Sequence, residues 1–450
     1  MAVVRPFFGL RYSRDFVSDA GQVLTPPYDV ISPADQAKFY AQSDYNVIRL
    51  ELGREQAEDS AKENKYTRAA TFLQQWLTKG VLHQEEKQTL YVYDQTFDLE
   101  DSSVSALART KLCRRGLIAA VKLEEWDKRI ILPHEETMAG PKADRLALMR
   151  ACRANLSPVF GLYEEPGGIA TLLNEATLAP PVVDTATPDG EHHRLWAISE
   201  PGQIRQITKL LEPLPIYIAD GHHRYETALA YRHERRQEEP GAPANAAFNY
   251  VMMVLVAISD PGLVILPTHR LVPEAPGICL DQLESRLQVY FDVEAWPLHS
   301  EGKRELSEAL VEMCRRGRHV PAFGAVGLKE NTFHLLMLRD RVAIERLMPA
   351  EHSQAWRRLD VSVLHAVILQ HLLGLPDVKG REDLAYTRDP IYAWESVLEG
   401  RSRLAFFLNP PKASEIRDVA DADDRMPPKS TYFHPKLPTG LVINPLSGTI

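Results

Sequence analysis

The spacing of apolar positions divides the chain into segments before any residue chemistry is considered. Tyr66, Ala69, Ala70, Leu73, Trp76 and Leu77 recur at three- and four-residue intervals and predict a helix with one face packed into a core. Ser32-Pro33 marks an earlier helix start, because serine caps a helix and proline suits its first turn. Runs rich in β-branched and aromatic residues predict strands at 89–97 and 130–132, and a helix after Gly140-Pro141 carries Asp144, Arg145, Leu146 and Met149. The clearest grammar is a strand at 216–219, a turn at Asp220-Gly221 and a helix over 222–238 with Tyr225, Ala228 and Leu229 on one face. Apolar runs at 250–258 and 263–266 flank Asp260-Pro261-Gly262 and predict a hairpin. Beyond it come a strand at 289–296, a helix at 304–315, strands at 322–328 and 332–338, a helix at 360–373 and a strand from Leu404. Residues 164–202, rich in Pro, Gly, Thr and charge, read as an excursion from the core.

Mixed strands and helices of this kind give an α/β (α+β) class. The expected organisation is a core over 1–280 with an insertion near 164–202, an α+β subdomain over 281–400, and a C-terminal strand and Pro-rich strap over 401–450 that returns to the site. Tyr432, Phe433, Leu437 and Leu441 anchor the strap, and 32 prolines at junctions such as Pro26-Pro27 and Pro427-Pro428 stiffen the connections. At 450 residues and 44% apolar content, the chain is long enough for two or three cores. A net charge of −9 argues against nucleic-acid or anionic-membrane partners while permitting a local basic pocket. The longest apolar run, 250–258, is about half of the ~20 residues that a spanning helix needs, and 1–16 does not resemble a signal peptide. A soluble cytoplasmic protein is expected. Cys113, Cys152, Cys279 and Cys314 stand far apart and read as buried thiols. No feature of the sequence specifies an oligomeric state.

Several common chemistries lack their motifs. No two glycines stand one residue apart as in a dinucleotide fingerprint, and Gly302-Lys303 has no upstream P-loop glycine. The residue four beyond His134 is Met138 rather than a second histidine, and no glycine pair frames a serine elbow. What remains is Asp220-Gly221-His222-His223-Arg224, where a strand hands over to a helix. Uncapped amides and the positive end of the helix dipole would face an anion there. The competing reading is a structural turn in which Asp220 caps the helix and the histidines stay solvated.

Pro133-His134-Glu135-Glu136-Thr137 places carboxylates at the end of a strand, with Lys142 and Arg145 close behind. A carboxylate there suits proton abstraction from a hydroxyl or a Mg²⁺ contact, and equally a solvated helix start. His269 and Arg270 follow another strand as candidate phosphate contacts or as an exposed strand end. Lys429, Ser430 and Thr431 lie in the proline-stiffened 426–436 loop, which suits closure over a ligand or a strap over the core. Tyr28 and Asp29 are candidates for substrate contact, with Asp29 alternatively capping the next helix.

Taken together, TPPYDVIS, LPHEET, GPKADR, ADGHHRYETALAYR, LPTHR and MPPKSTYFHPKLPTGLV resemble a bacterial and archaeal family catalogued as a conserved domain of unknown function. The Asp-Gly-His-His-Arg element with its upstream Pro-His-Glu segment is in turn similar to free serine kinases of the ParB/sulfiredoxin-like superfamily. That resemblance implies a nucleotide-binding core in which Asp220, Gly221, His222, His223 and Arg224 hold phosphates and Glu135, or Glu136 in its place, activates the hydroxyl of serine. It also implies ATP or ADP as donor, with Mg²⁺, and O-phosphoserine as product. This chain departs from those kinases in its length and in the 86 positions separating His134 from Asp220. Position 222 is His where sulfiredoxins have Cys, which removes sulfiredoxin chemistry. The expected function is a small-molecule kinase. A nucleotide phosphohydrolase and a nucleotide-binding regulatory module without turnover are the alternatives.

Overall fold

The computed structural model describes residues 1–100, 109–137, 139–273, 280–299, 302–375 and 384–450, and the chain forms two compact units. The first comprises Met1–Asp98, Lys111–Leu263 and Pro435–Ile450, and the second Leu99–Thr110 with Val264–His434. The division therefore falls earlier than position 280, and most of 401–434 belongs to the second unit. Among the described residues, no helix is long and apolar enough to cross a membrane. Cys152 is buried and Cys113 and Cys314 are half-buried thiols, while Cys279 lies outside the described residues.

The first unit is organised by a nine-stranded mixed sheet. Its strands are β1 (Val4–Arg5), β2 (Leu90–Glu100), β3 (Arg109–Lys122), β4 (Ile131–Leu132), β5 (Val159–Tyr163), β6 (Val183–Ala186), β7 (His192–Ile198), β8 (Ile216–Asp220) and β9 (Tyr250–Ala257). They lie in the order β4-β8-β5-β9-β3-β2-β7-β6, with β1 beside β3. β9 is central and almost wholly buried, which explains why its sequence is a continuous apolar run rather than an alternating one.

The helices form where capping chemistry and apolar spacing coincide. α1 (Pro33–Gln42) starts at Ser32, whose side chain accepts from Asp35 N while Asp35 reaches back to Ser32 N. α2 (Lys65–Thr78) is capped by Asn64 and buries Ala69, Leu73 and Trp76. α3 (Ala139–Cys152) and α4 (His222–Glu238) are joined by ion pairs Lys142–Glu226 at 2.8 Å and Arg150–Glu234 at 2.5 Å. The two pairs advance equally along both helices, so the helices run in the same direction.

Two expectations fail for identifiable reasons. Residues 164–202 do not leave the core: they supply β6 and β7, and β7 pairs with β2 continuously from His192↔Thr96 to Ile198↔Leu90. Loop-like composition concealed a sheet edge. The expected hairpin across Asp260-Pro261-Gly262 does not form either, because β9 already has β3 and β5 on its two edges. The segment that follows, β10 (Val264–Leu266), pairs in the second unit with the late strand Tyr432–His434.

The rest of that unit is a six-stranded sheet of β11 (His269–Val272), β12 (Phe291–Pro297), β13 (Ala322–Val326), β14 (Thr332–Leu338), β15 (Ala385–Thr387) and β16 (Leu404–Phe407). The order is β12-β14-β13-β16-β11-β15, and Tyr432–His434 becomes β17. Helix α5 (Lys303–Arg316) covers it through Leu306, Ala309, Leu310 and Met313. The helix expected at 360–373 is a short α-turn, Asp360–Val363, continuing as a π-helix over Leu364–Leu372.

Candidate functional site

The site of the first unit is made by a parallel strand pair. β8 lies beside β4 in parallel, with Ile216↔Ile131 and Tyr217↔Leu132 in register. Parallel neighbours end on the same side of a sheet. Pro133-His134-Glu135 and Asp220-Gly221-His222 therefore emerge together, although Asp220 lies 86 positions beyond His134.

At the top of β8 the chain turns into α4 through Gly221 at φ 89 and ψ 29. This left-handed conformation favours glycine, and a Cβ there would stand 2.8 Å from Arg224 Nε and 2.9 Å from its Cζ. Gly221 is itself the N-cap, and no side chain caps the helix. Asp220 is thus not the capping residue, which excludes that reading of the turn. The amino end of α4, the positive end of its dipole, therefore opens beside Asp220 and suits an anion. Since α3 runs parallel to α4 and starts beside Lys142 and Glu226, two helix N-termini face the same sheet edge.

Asp220 is instead the centre of a charge cluster. Its Oδ1 accepts from Lys436 Nζ, and its Oδ2 from Arg224 Nη2 at 2.5 Å. Arg224 Nη1 also donates to the carbonyl of Pro158. Burial opposes ionisation of Asp220, yet Lys436, Arg224 and His222 together hold its carboxyl well below the usual range. Lys436 was not among the expected site residues. It lies 216 positions beyond Asp220, and only the returning tail brings it there.

His134 and His222 fix the geometry around Glu135. His134 is fully buried, and its Nδ1 is 2.7 Å from the Ile218 carbonyl, which can only accept; Nδ1 therefore carries the proton. Its backbone N–H donates to His222 Nε2 at 3.3 Å. The proton of neutral His222 must then sit on Nδ1, which is 3.8 Å from Glu135 Oε2. The two rings meet edge to face with centroids 4.7 Å apart. His134 accordingly supports His222, and Glu135 beside them is half-buried. Glu136 is exposed beside it, and His223 is half-buried in the first turn of α4.

Further residues brought to this edge are committed to partners. Arg145, 6% exposed, binds Asp144 at 2.5 Å and the Glu51 carbonyl at 2.7 Å, and its guanidinium lies 4.1 Å from the Tyr28 ring centroid. Glu51 also accepts from Ser157 Oγ at 3.0 Å. Arg145 thus props Tyr28, whose phenol burial pushes up to about 12 against the pull of Arg224. Lys142 binds Glu226, whose Oε2 also accepts from Thr137 Oγ1 at 2.6 Å. Asp29 sits in a 3-10 turn, Tyr28–Val30, exposed and acting on the charge of Arg224. It does not cap α1, since Ser32 does.

His269, Arg270, Lys429, Ser430 and Thr431 belong to the second unit. His269 is buried and accepts the Leu408 N–H at Nδ1; burial, then Arg270, drives its pKa down to about 3, so it carries no charge at neutral pH. Arg270 is buried with Nε 3.2 Å from His365 Nε2. Lys429 is exposed at φ 57, Ser430 is buried with Oγ donating to the Pro427 carbonyl, and Thr431 is half-buried.

No group of three or more His, Cys, Asp or Glu among the described residues forms a metal cage. Both carboxylate oxygens of Asp220 are occupied by cations. A divalent ion entering with a nucleotide would find its protein oxygens on Glu135 and Glu136, which suits Mg²⁺, a cation that retains waters and phosphate ligands and needs only one or two carboxylates.

A family profile described as Protein of unknown function (DUF1015) matches residues 4–362. No curated protein matches the sequence. Among solved structures, a mutant free serine kinase in complex with AMP is similar at 14% identity and a TM-score of 0.32, over 71% of this chain and 87% of that one. A conserved hypothetical protein from Pyrococcus furiosus is similar at 14% identity and 0.31, over 73% and 95%. C-terminally truncated SbnI from Staphylococcus aureus is similar at 12% and 0.34, over 73% and 87%. Similarity at this level leaves the chemistry to be argued from the side chains.

Proposed function

The chain belongs to the family described as Protein of unknown function (DUF1015), and from that premise we propose that its first unit is a small-molecule kinase. It transfers a phosphoryl group from ATP or ADP to a metabolite hydroxyl, free L-serine being the first choice. The observation that carries the reading is the convergence at one sheet edge of two helix N-termini, the Lys436–Asp220–Arg224 cluster and the positioned carboxylate of Glu135. The resemblance of the Asp-Gly-His-His-Arg and Pro-His-Glu elements to the ParB/sulfiredoxin-like free serine kinases supports the same assignment and the corresponding core.

In this reading the phosphates rest at the amino end of α4, beside His222, His223 and Arg224. Each favourable helix-dipole contact contributes about 0.3–1 kcal/mol. Arg224 and Lys436 outnumber Asp220 and leave a positive balance for developing phosphate charge. Glu135 takes the acceptor's hydroxyl proton as that oxygen attacks the terminal phosphorus. The bond from phosphorus to the bridging oxygen breaks, and the leaving nucleotide carries away its electron pair. Bound Mg²⁺, on Glu135 or Glu136 and the phosphates, would neutralise phosphate charge. Tyr28 and Asp29 line the acceptor side, and His134 and His222 keep Glu135 aimed.

Glu135→Gln tests the assignment, because it preserves shape and removes the base. Expected are loss of turnover and nearly unchanged calorimetric affinity for ADP measured without Mg²⁺. Retained turnover, or equal loss of turnover and binding, contradicts the assignment.

A further inference from the structure

Lys436 reaches Asp220 only if its backbone is held, and the holding groups lie elsewhere in the sheet. Arg114, on β3, is 1% exposed, with its guanidinium 4.8 Å from the Phe160 ring centroid. It donates to Gln95 Oε1 and, at 2.7 Å, to the Pro435 carbonyl. Gln95, on β2 and fully buried, donates through Nε2 to the Lys436 carbonyl at 3.0 Å and to Glu191 Oε2 at 2.6 Å. Side chains from two adjacent strands thus grip two consecutive carbonyls. β3 lies three strands from β8, yet the Arg114 guanidinium reaches over Phe160, the cross-strand neighbour of Asp220, so Arg114 acts on Asp220 by charge as well as through its hold on the backbone of Lys436.

Arg114 also marks where the chain leaves and re-enters this unit. The chain leaves the unit at Asp98–Leu99 and again at Leu263–Val264, and returns at Thr110–Lys111 and at His434–Pro435. Just before the second departure, a Cβ on Gly262 would stand 2.4 Å from the Cys113 carbonyl carbon and oxygen and 2.5 Å from Arg114 N. The outgoing segment therefore packs on the backbone at Arg114, and the returning segment hangs on its guanidinium. Burying a guanidinium is expensive, and one is kept where its donors do specific work.

We propose that Arg114 and Gln95 are positioning residues that fix Pro435 and Lys436 so that the Lys436 ammonium stands against Asp220. They tie that cation to the segments through which the chain leaves and re-enters the unit. The proposal rests on Lys436 being a site cation, and its test is separable from the kinase reading because it needs no nucleotide.

The test is competitive acetylation of lysines in the full-length protein, read by peptide mass. Paired with Asp220, Lys436 reacts slowly. In Arg114→Met its reactivity rises by about tenfold, the equivalent of ~1.4 kcal/mol of lost pairing. Asp220→Asn gives a similar rise, and the double variant rises no further than either alone. Lys65, held by Asp144 at 2.9 Å, is the internal control and stays unchanged. If Arg114→Met does not fold, Gln95→Leu takes its place with the same expectation. Continued protection of Lys436, or a joint rise of Lys436 and Lys65, overturns the proposal. ADP affinity measured on the same variants separates the two claims: freed Lys436 with unchanged ADP binding supports the clamp and counts against the phosphate role.

Discussion

Replacing Gly221 by alanine strikes the candidate site at its narrowest point. Two costs add. The first is the backbone: at φ 89 a residue with a Cβ gives up about 1–2 kcal/mol relative to glycine. The second is the new methyl group, which would lie 2.8–3.0 Å from Nε, Cζ and Nη2 of Arg224 and push the guanidinium from Asp220 and the Pro158 carbonyl. Losing hydrogen bonds that involve a charge costs about 1.5–3 kcal/mol. Together the expected destabilisation is about 2.5–5 kcal/mol. Gly190 provides the control, since it has φ 92 and no atom within 4 Å of a Cβ, so Gly190→Ala incurs the backbone cost alone. Urea unfolding of both variants and wild type, followed by circular dichroism and tryptophan fluorescence, measures the difference. If Gly221→Ala is no less stable than Gly190→Ala, the guanidinium does not sit over the turn as described and the charge cluster loses its support.

Two further outcomes follow from the buried charges. Arg224→Ala leaves Asp220 paired with Lys436 alone and should cost about 3 kcal/mol in urea unfolding, with weakened nucleotide binding in calorimetry; unchanged nucleotide affinity removes Arg224 from the phosphate cradle. Glu191 is raised to about 7 by burial, with Asp189 adding to the rise and Gln95 and Arg114 opposing it. Unfolded glutamates titrate near ~4.3, so between there and about 7 the folded chain keeps a proton that the unfolded chain releases, and stability falls as pH rises through that window. Glu191→Gln should flatten this fall and melt higher than wild type at pH 8, and an identical pH dependence in both proteins refutes it.

Local grammar carried much of the fold. The helix over 222–238 and the strand over 332–338 lie where their periodicity puts them, because each has a continuous apolar face with a turn signal at its end. Long-range pairing was not legible. Composition made 164–202 look like loop, yet β7 earns its place through cross-strand partners on β2 that no local window contains. The Asp-Pro-Gly turn has hairpin chemistry, but the edges of β9 were already taken. The same limit applies to the site. Asp220, His222, Glu135 and Arg224 were legible as motif residues, and β4 lying parallel to β8 explains why they meet. Lys436 was hidden because its only local signal is a lysine after His434-Pro435, and its partner is 216 residues away. The positions of Lys142 and Arg145 were legible, but their carboxylate partners Glu226, Glu51 and Asp144 were not.

Phosphorus NMR of the purified protein with Mg²⁺, L-serine and either ATP or ADP observes the proposed transfer itself. A new phosphomonoester signal at the position of O-phosphoserine is expected, dependent on serine and absent in Glu135→Gln. Unchanged nucleotide signals with both donors, or free phosphate without phosphoserine, contradict it.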